Sequence, residues 1–220
     1  SPATFDNAVA GDLDMDGRAE FVLQRREYVS QNSRLLVYDG NAAGTQWTLL
    51  QDPPYGAPWS AMVLGNFVGN ARLELGLSRA AGNTVIVVDP LNFGQIANFV
   101  VDPYFVDLAA GDVNKDGYDE MIGVRNINTR VGLVVYRLKG PGQGADIIHQ
   151  EAFGSPFLWV TAADVDGDGA AEIYGLRNLG APNVGLHVVD LYDPRISHDV
   201  VIGTDWTDLA AGDVDGDGLA

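Results

Sequence analysis

One nine-residue frame occurs five times along the chain, and its spacing limits the possible folds more than any other feature. Gly11 is followed by DLDMDGRAE, Gly65 by NFVGNARLE, Gly111 by DVNKDGYDE, Ala163 by DVDGDGAAE and Gly212 by DVDGDGLA. With Asp12, Asn66, Asp112, Asp164 and Asp213 as position 1, the successive intervals are 54, 46, 52 and 49 residues. A period near 50 means a series of equivalent supersecondary units, each burying its apolar face against a neighbour. Two further registers keep step with the frame. An aromatic stands seven residues before each position 1 (Phe5, Trp59, Phe105, Phe157, Trp206), and an arginine stands five residues after each position 9 (Arg25, Arg79, Arg125, Arg177).

Between the frames the chain reads as short strands. The first repeat offers NAVAGD, EFVLQR, RLLVYDG and QWTLLQ; the third offers VDLAAGD, EMIGVR, VGLVVYRL and ADIIHQEAF; the fourth offers LWVTAAD, EIYGLR, VGLHVVDLY and DVVIG. Runs of Val, Ile, Leu and Tyr bounded by Gly, Pro, Asn and Asp are strand signals. No segment sustains the 3.6-residue period of an amphipathic helix. Four strands per 50-residue repeat is the pattern of a β-propeller blade, and a stacked β-solenoid, with shorter repeats, is the lesser alternative. The expected fold is therefore all-β: a propeller of four-stranded antiparallel blades, about four of them plus the first strand of a fifth. The blades are expected at 1–52, 53–102, 103–153 and 154–203, with 204–220 as a partial blade, all in one propeller or propeller segment. A stub repeating strand 1 does not fit a closed four-blade ring. The chain is expected to be part of a longer propeller, or copies of it to complete one another through open sheet edges. Its start at Ser1 without a Met points to a processed or excised segment.

The acid is concentrated in the frames. The chain has 13 Lys and Arg against 30 Asp and Glu, a formal net charge of −17, and half of the acids fall in the four acidic loops. Such a chain is repelled by nucleic-acid phosphates and anionic lipid surfaces. No apolar run is long enough to cross a membrane as a helix, and no signal-peptide pattern opens the sequence. The absence of cysteine excludes disulfides, thiolate metal sites and a cysteine nucleophile.

D-x-D-x-D-G places side-chain oxygens at alternate positions of a tight turn, where they converge on one cation; the glycine at position 6 permits the turn. An EF-hand would need a bidentate Glu at position 12, but this chain has Leu23, Gly123 and Gly175 there. The acid comes instead at position 9, as Glu20, Glu120 and Glu172, directly before a strand. Dockerin-type modules pair such loops with helices, which are missing.

Four in-register loops between the first two strands of repeats of about 50 residues resemble the FG-GAP or VCBS repeat of integrin α-subunit propellers, and the resemblance spans the chain. It implies Ca²⁺ bound through side chains at positions 1, 3, 5 and 9 and the backbone carbonyl at position 7. The implied ligands are Asp12, Asp14, Asp16, Arg18 (carbonyl) and Glu20 in the first loop. In the third they are Asp112, Asn114, Asp116, Tyr118 (carbonyl) and Glu120, and in the fourth Asp164, Asp166, Asp168, Ala170 (carbonyl) and Glu172. The fifth offers Asp213, Asp215 and Asp217, an incomplete set. The second loop has Asn66, Val68, Asn70 and Ala71 at positions 1, 3, 5 and 6, with Glu74 its one acid, and is expected to hold no calcium. All-oxygen ligands on a flexible loop suit Ca²⁺ better than Mg²⁺.

Strands 1 and 2 are antiparallel, so the start of one meets the end of the other at the rim away from the metal loop. The repeated aromatics and arginines fall there, either as a structural stack or as a shallow site for a sugar ring or acidic group. The strand 2–3 loops on that rim (REYVSQNSR, AAGN, NINTR, NLGAPN) vary more and are the expected seat of specificity. The three histidines, His149, His187 and His198, show no metal spacing and read as ordinary strand or loop residues. No G-x-S-x-G elbow, Walker loop or dinucleotide fingerprint is present.

The expected function is a non-catalytic, extracellular or cell-surface binding or adhesion module, stabilised by calcium, for a protein or glycan partner or for copies of itself. The alternatives are a self-assembling filament or surface-layer subunit and the propeller of a carbohydrate-active enzyme such as a polysaccharide lyase. If calcium takes the place of disulfide staples, chelator lowers the melting temperature by many degrees; an unchanged melt by differential scanning calorimetry contradicts this.

Overall fold

A computed structural model describes residues 4–27, 32–56, 58–79, 81–127, 130–180, 183–193, 198–204, 206 and 208–212. The strands are β1 (Thr4–Gly11), β2 (Glu20–Arg26), β3 (Ser33–Gly40), β4 (Trp47–Gln51), β5 (Ala61–Gly65), β6 (Glu74–Arg79), β7 (Thr84–Val88) and β8 (Gln95–Val100). They continue with β9 (Asp107–Gly111), β10 (Glu120–Ile127), β11 (Arg130–Leu138), β12 (Ala145–Ala152), β13 (Phe157–Ala163), β14 (Glu172–Asn178), β15 (Val184–Val189) and β16 (His198–Gly203). They form four antiparallel sheets of four strands, each in simple sequence order. Among the described residues there is no helix, and none long and apolar enough to cross a membrane.

The chain divides into two compact units. The first is Ser1–Tyr104 with Lys139–Gly144, and the second is Phe105–Leu138 with Ala145–Ala220. In the first unit β1 lies beside β5, and in the second β9 lies beside β13, so within each unit the leading strands of the two sheets are neighbours. Side chains tie them together. Asn7 Nδ2 donates to the Trp59 carbonyl at 3.4 Å, and the Val160 N–H donates to Asp107 Oδ2 at 2.9 Å.

Strand alternation builds the cores. In the first unit Val22, Leu35 and Val37 of one sheet pack with Met62, Leu75 and Leu77 of the next. In the second, Ile122, Val124, Leu133 and Val135 pack with Val160 and Ile173. Because side chains on a strand point alternately to opposite faces, each central strand can contribute a row of apolar residues to a neighbouring sheet.

The expected first strand of a fifth unit is not formed over its described part, since residues 206 and 208–212 lie in no strand. Each of the four formed leading strands is zipped to a second strand that starts at position 9. Leu209–Gly212 nevertheless border a groove on sheet four with Thr161, Val165, Tyr174 and Leu186.

The glycine at position 12, the feature that excluded an EF-hand, has a packing role. A Cβ on Gly175 would lie 2.4 Å from the fully buried ring of Phe157, and one on Gly123 would lie 2.5 Å from Phe105. The repeated aromatic therefore occupies space that strand 2 leaves empty. Gly175→Ala overfills this site and should cost about 1–3 kcal/mol, read as a lower urea midpoint with an unchanged slope.

Candidate metal centre

All four described loops are closed by the same backbone pair: Gly11 opposite Glu20, Gly65 opposite Glu74, Gly111 opposite Glu120 and Ala163 opposite Glu172. The position-9 glutamate is buried in every case, at no more than 1% exposure. One of its oxygens, Oε2, accepts the position-2 N–H: Leu13 at 2.7 Å, Phe67 at 2.8 Å, Val113 at 3.2 Å and Val165 at 2.9 Å. The glutamate thus locks the start of the loop to its end.

The remaining turns are set by the aspartates. At position 1, Oδ2 accepts the position-6 N–H: Gly17 on Asp12 at 2.9 Å, Gly117 on Asp112 at 2.8 Å and Gly169 on Asp164 at 3.0 Å. Position 5 accepts the position-7 N–H through Oδ1 in the same three loops. These bonds hold position 6 in the left-handed region, with φ of 85°, 84° and 92° at Gly17, Gly117 and Gly169. The second loop keeps this conformation with hardly any acid: φ is 68° at Gly69 and 65° at Ala71, and Asn70 takes over the position-5 bond to Arg72. The loop shape therefore persists with the position-9 glutamate as its one acid, and the aspartates are additional to it.

What the acids add is a set of converging oxygens. Asp164, Asp166, Asp168 and Glu172 each place a carboxylate oxygen within 4.8 Å of the others, and so do Asp12, Asp14 and Glu20. Oxygens on opposite sides of a Ca²⁺ ion lie about 5 Å apart, twice the 2.3–2.6 Å bond, so these sets match its span. Glu20 Oε1 and Glu172 Oε1 are buried without a hydrogen-bond partner, which is costly for a carboxylate unless a cation meets it. In the third loop Glu120 Oε1 instead accepts Asn114 Nδ2 at 2.8 Å.

Each position-5 carboxylate also carries a basic partner. Arg18 pairs with Asp16, Arg137 with Asp116 at 2.8 Å and Lys115 with Asp168 at 2.9 Å. The Lys115 ammonium also sits 3.6 Å from the centre of the Tyr192 ring. A bound ion would have to share or displace these cations.

Burial drives all four glutamates upward in pKa. It carries Glu120, with the nearby Asp116 adding to it, to about 7. Asp107, desolvated on β9, rises to about 6. A carboxyl whose pKa is higher in the folded than in the unfolded chain favours folding most below its unfolded value. It loses that contribution as pH climbs through the folded value.

Of the expected ligands, the structure thus brings together all four acids of the fourth loop, and Asp12, Asp14 and Glu20 of the first, with Asp16 outside that set. It places Asp112, Asn114, Asp116 and Glu120 in one hydrogen-bonded loop. Arg18, Tyr118 and Ala170 sit at position 7 in the three loops, each donating its N–H to position 5. Asp213, Asp215 and Asp217 lie outside the described residues.

At the opposite rim the aromatic–arginine pairing takes structural form in two sheets. The Arg79 guanidinium lies 5.1 Å from the ring of the buried Trp59. Arg177 lies 5.7 Å from Phe157 and 4.3 Å from Phe153. Phe5 and Arg25 are register partners, but Phe5 is exposed and Arg25 turns toward Asp52. Parts of the strand 2–3 loops, including residues 28–31, 128–129 and 181–182, lie outside the described residues.

Residues 112–175, from the third acidic loop to Gly175, match the family model described as FG-GAP-like repeat. This stretch is similar to an FG-GAP-like repeat. Among solved structures the chain is similar to Kuenenia stuttgartiensis hydrazine synthase, with 12% identity and a TM-score of 0.55 over 83% of this chain and 46% of that one. At that identity the likeness concerns the fold, and the chain spans about half the length of its structural relative. No curated protein matches.

In chelator, stability should fall between about pH 4 and pH 7 as Asp107 and Glu120 ionise in the folded chain. Calcium should remove the Glu120 share. Urea melts at pH 5 and 7.5, with and without calcium, test this, and Glu120→Gln should flatten the metal-free profile.

Proposed function

We propose that the chain is a calcium-stabilised β-propeller segment that acts as a non-catalytic binding module, outside the cell or at its surface, for a protein or glycan. The observation that carries the calcium reading is the pair of buried, unpartnered oxygens, Glu20 Oε1 and Glu172 Oε1, each in a set of converging aspartates. Asp12, Asp14 and Glu20, and Asp164, Asp166, Asp168 and Glu172, would hold the ion. Asp112, Asn114, Asp116 and Glu120 would do so after the Asn114 amide turns its oxygen inward, and Asp213, Asp215 and Asp217 would provide a further, incomplete set.

The adjacency of β1 with β5 and of β9 with β13 supports blades whose leading strands lie side by side within each unit. FG-GAP-like repeats support a binding or adhesion role over a catalytic one. Loops of this class bind at about 10⁻⁴–10⁻³ M, the calcium level of extracellular media, and this favours an extracellular setting.

Isothermal titration of the chelated chain with calcium tests the reading. Binding should be lost when Asp12, Asp112, Asp164 and Asp213 are all replaced by Asn, and Glu172→Gln alone should remove one ion. Calcium binding that survives the fourfold replacement overturns it.

A further inference from the structure

A second polar cluster lies away from the acidic loops, between β12 at the edge of sheet three and β15–β16 of sheet four. At its centre His187 is 5% exposed. Its Nδ1 is 2.8 Å from Asp199 Oδ1. Arg177 Nη1 donates to both Asp199 oxygens at 2.9 Å, so the carboxylate that orients the imidazole is itself fixed. The Phe153 ring packs edge-on against His187 at 4.7 Å.

With Nδ1–H donated to Asp199, the lone pair of His187 lies on Nε2. That atom is buried and has no hydrogen-bond partner, and the same holds for His149 Nε2. Both face one carboxylate oxygen: Glu151 Oε2 is 3.7 Å from His187 Nε2 and 3.6 Å from His149 Nε2. These separations are too long for hydrogen bonds. They are close to the roughly 3.4 Å between neighbouring ligands of a tetrahedral ion with bonds of 2.0–2.1 Å. His149 and Glu151 are two residues apart on β12 and therefore project from the same face of the strand.

We propose that His149, Glu151 and His187 form a site for a transition-metal ion of the zinc class, with Asp199 as the group that holds His187 in its coordinating tautomer. A carboxylate on the far nitrogen is the usual support of a metal-bound histidine. Two imidazoles and one carboxylate select zinc-like ions over calcium, which takes oxygen ligands. Glu151, with a side chain 40% exposed, leaves the fourth position open to water. Among the described residues the sets already converged within 4.8 Å are the acidic loops alone, so the two imidazoles must still close on each other. His149, 29% exposed in its side chain, has the freedom to turn in, while His187 stays fixed. The bound ion would clip β12 to β15 in a chain that has no cysteine for a staple.

Calorimetric titration of zinc into the full chain, with calcium in excess to occupy the acidic loops, tests the proposal. One zinc per chain is expected, with a rise in melting temperature. His149→Ala and Glu151→Gln, both at partly exposed positions, should abolish binding, and Asp199→Asn should weaken it about 10–100-fold. No zinc uptake in the presence of calcium, or uptake that both His149→Ala and Glu151→Gln leave unchanged, overturns it. The latter result would mean that Glu151 serves only as an ion-pair partner for the histidines.

Discussion

A single hydrogen bond recurs in all four described loops: the buried position-9 glutamate accepts the N–H of position 2, seven residues back. It closes the turn between the first two strands, fixes their register and puts a carboxylate in a place that water does not reach. In Glu20 and Glu172 the other oxygen is left without a partner, a poor endpoint for a stable fold. In the proposed calcium reading, the aspartates of the same loop complete a cation site around the residue that shapes the turn. The net charge of −17 then reflects a row of loops more than a diffuse acidic surface.

The second loop separates these two roles. It retains Glu74, the Phe67 hydrogen bond and left-handed backbone at Gly69 and Ala71, yet Val68 and the asparagines 66 and 70 replace the acids. A non-glycine residue in that region costs about 1–2 kcal/mol, so the loop geometry is kept at some expense. The frame is thus a folding device first, and converging acids are a layer that individual repeats add or omit.

Much of this was legible in the sequence, because repetition turns weak local signals into registers. The 50-residue period, the strand runs and the acids at fixed positions led to four four-stranded sheets and to the loops joining their first two strands. The stacking of Arg79 on Trp59 and of Arg177 on Phe157 also followed from spacing. Other features depend on contacts between repeats, which spacing along one chain does not encode. Nothing in the sequence says that Lys115 of one loop reaches Asp168 of the next. Nor does it say that His149 and His187, 38 residues apart and in different sheets, face the same glutamate. The fifth leading strand was expected from its repeat pattern, but residues 206 and 208–212 lie in no strand.

The most direct test of the account is anomalous diffraction from crystals of the chain soaked in calcium or terbium. Peaks should stand about 2.3–2.6 Å from Glu20, Glu120 and Glu172, with none beside Glu74. Peaks of equal height in all four loops, or no peak at the three acidic ones, would contradict the claim that the buried glutamate and its aspartates together make the site.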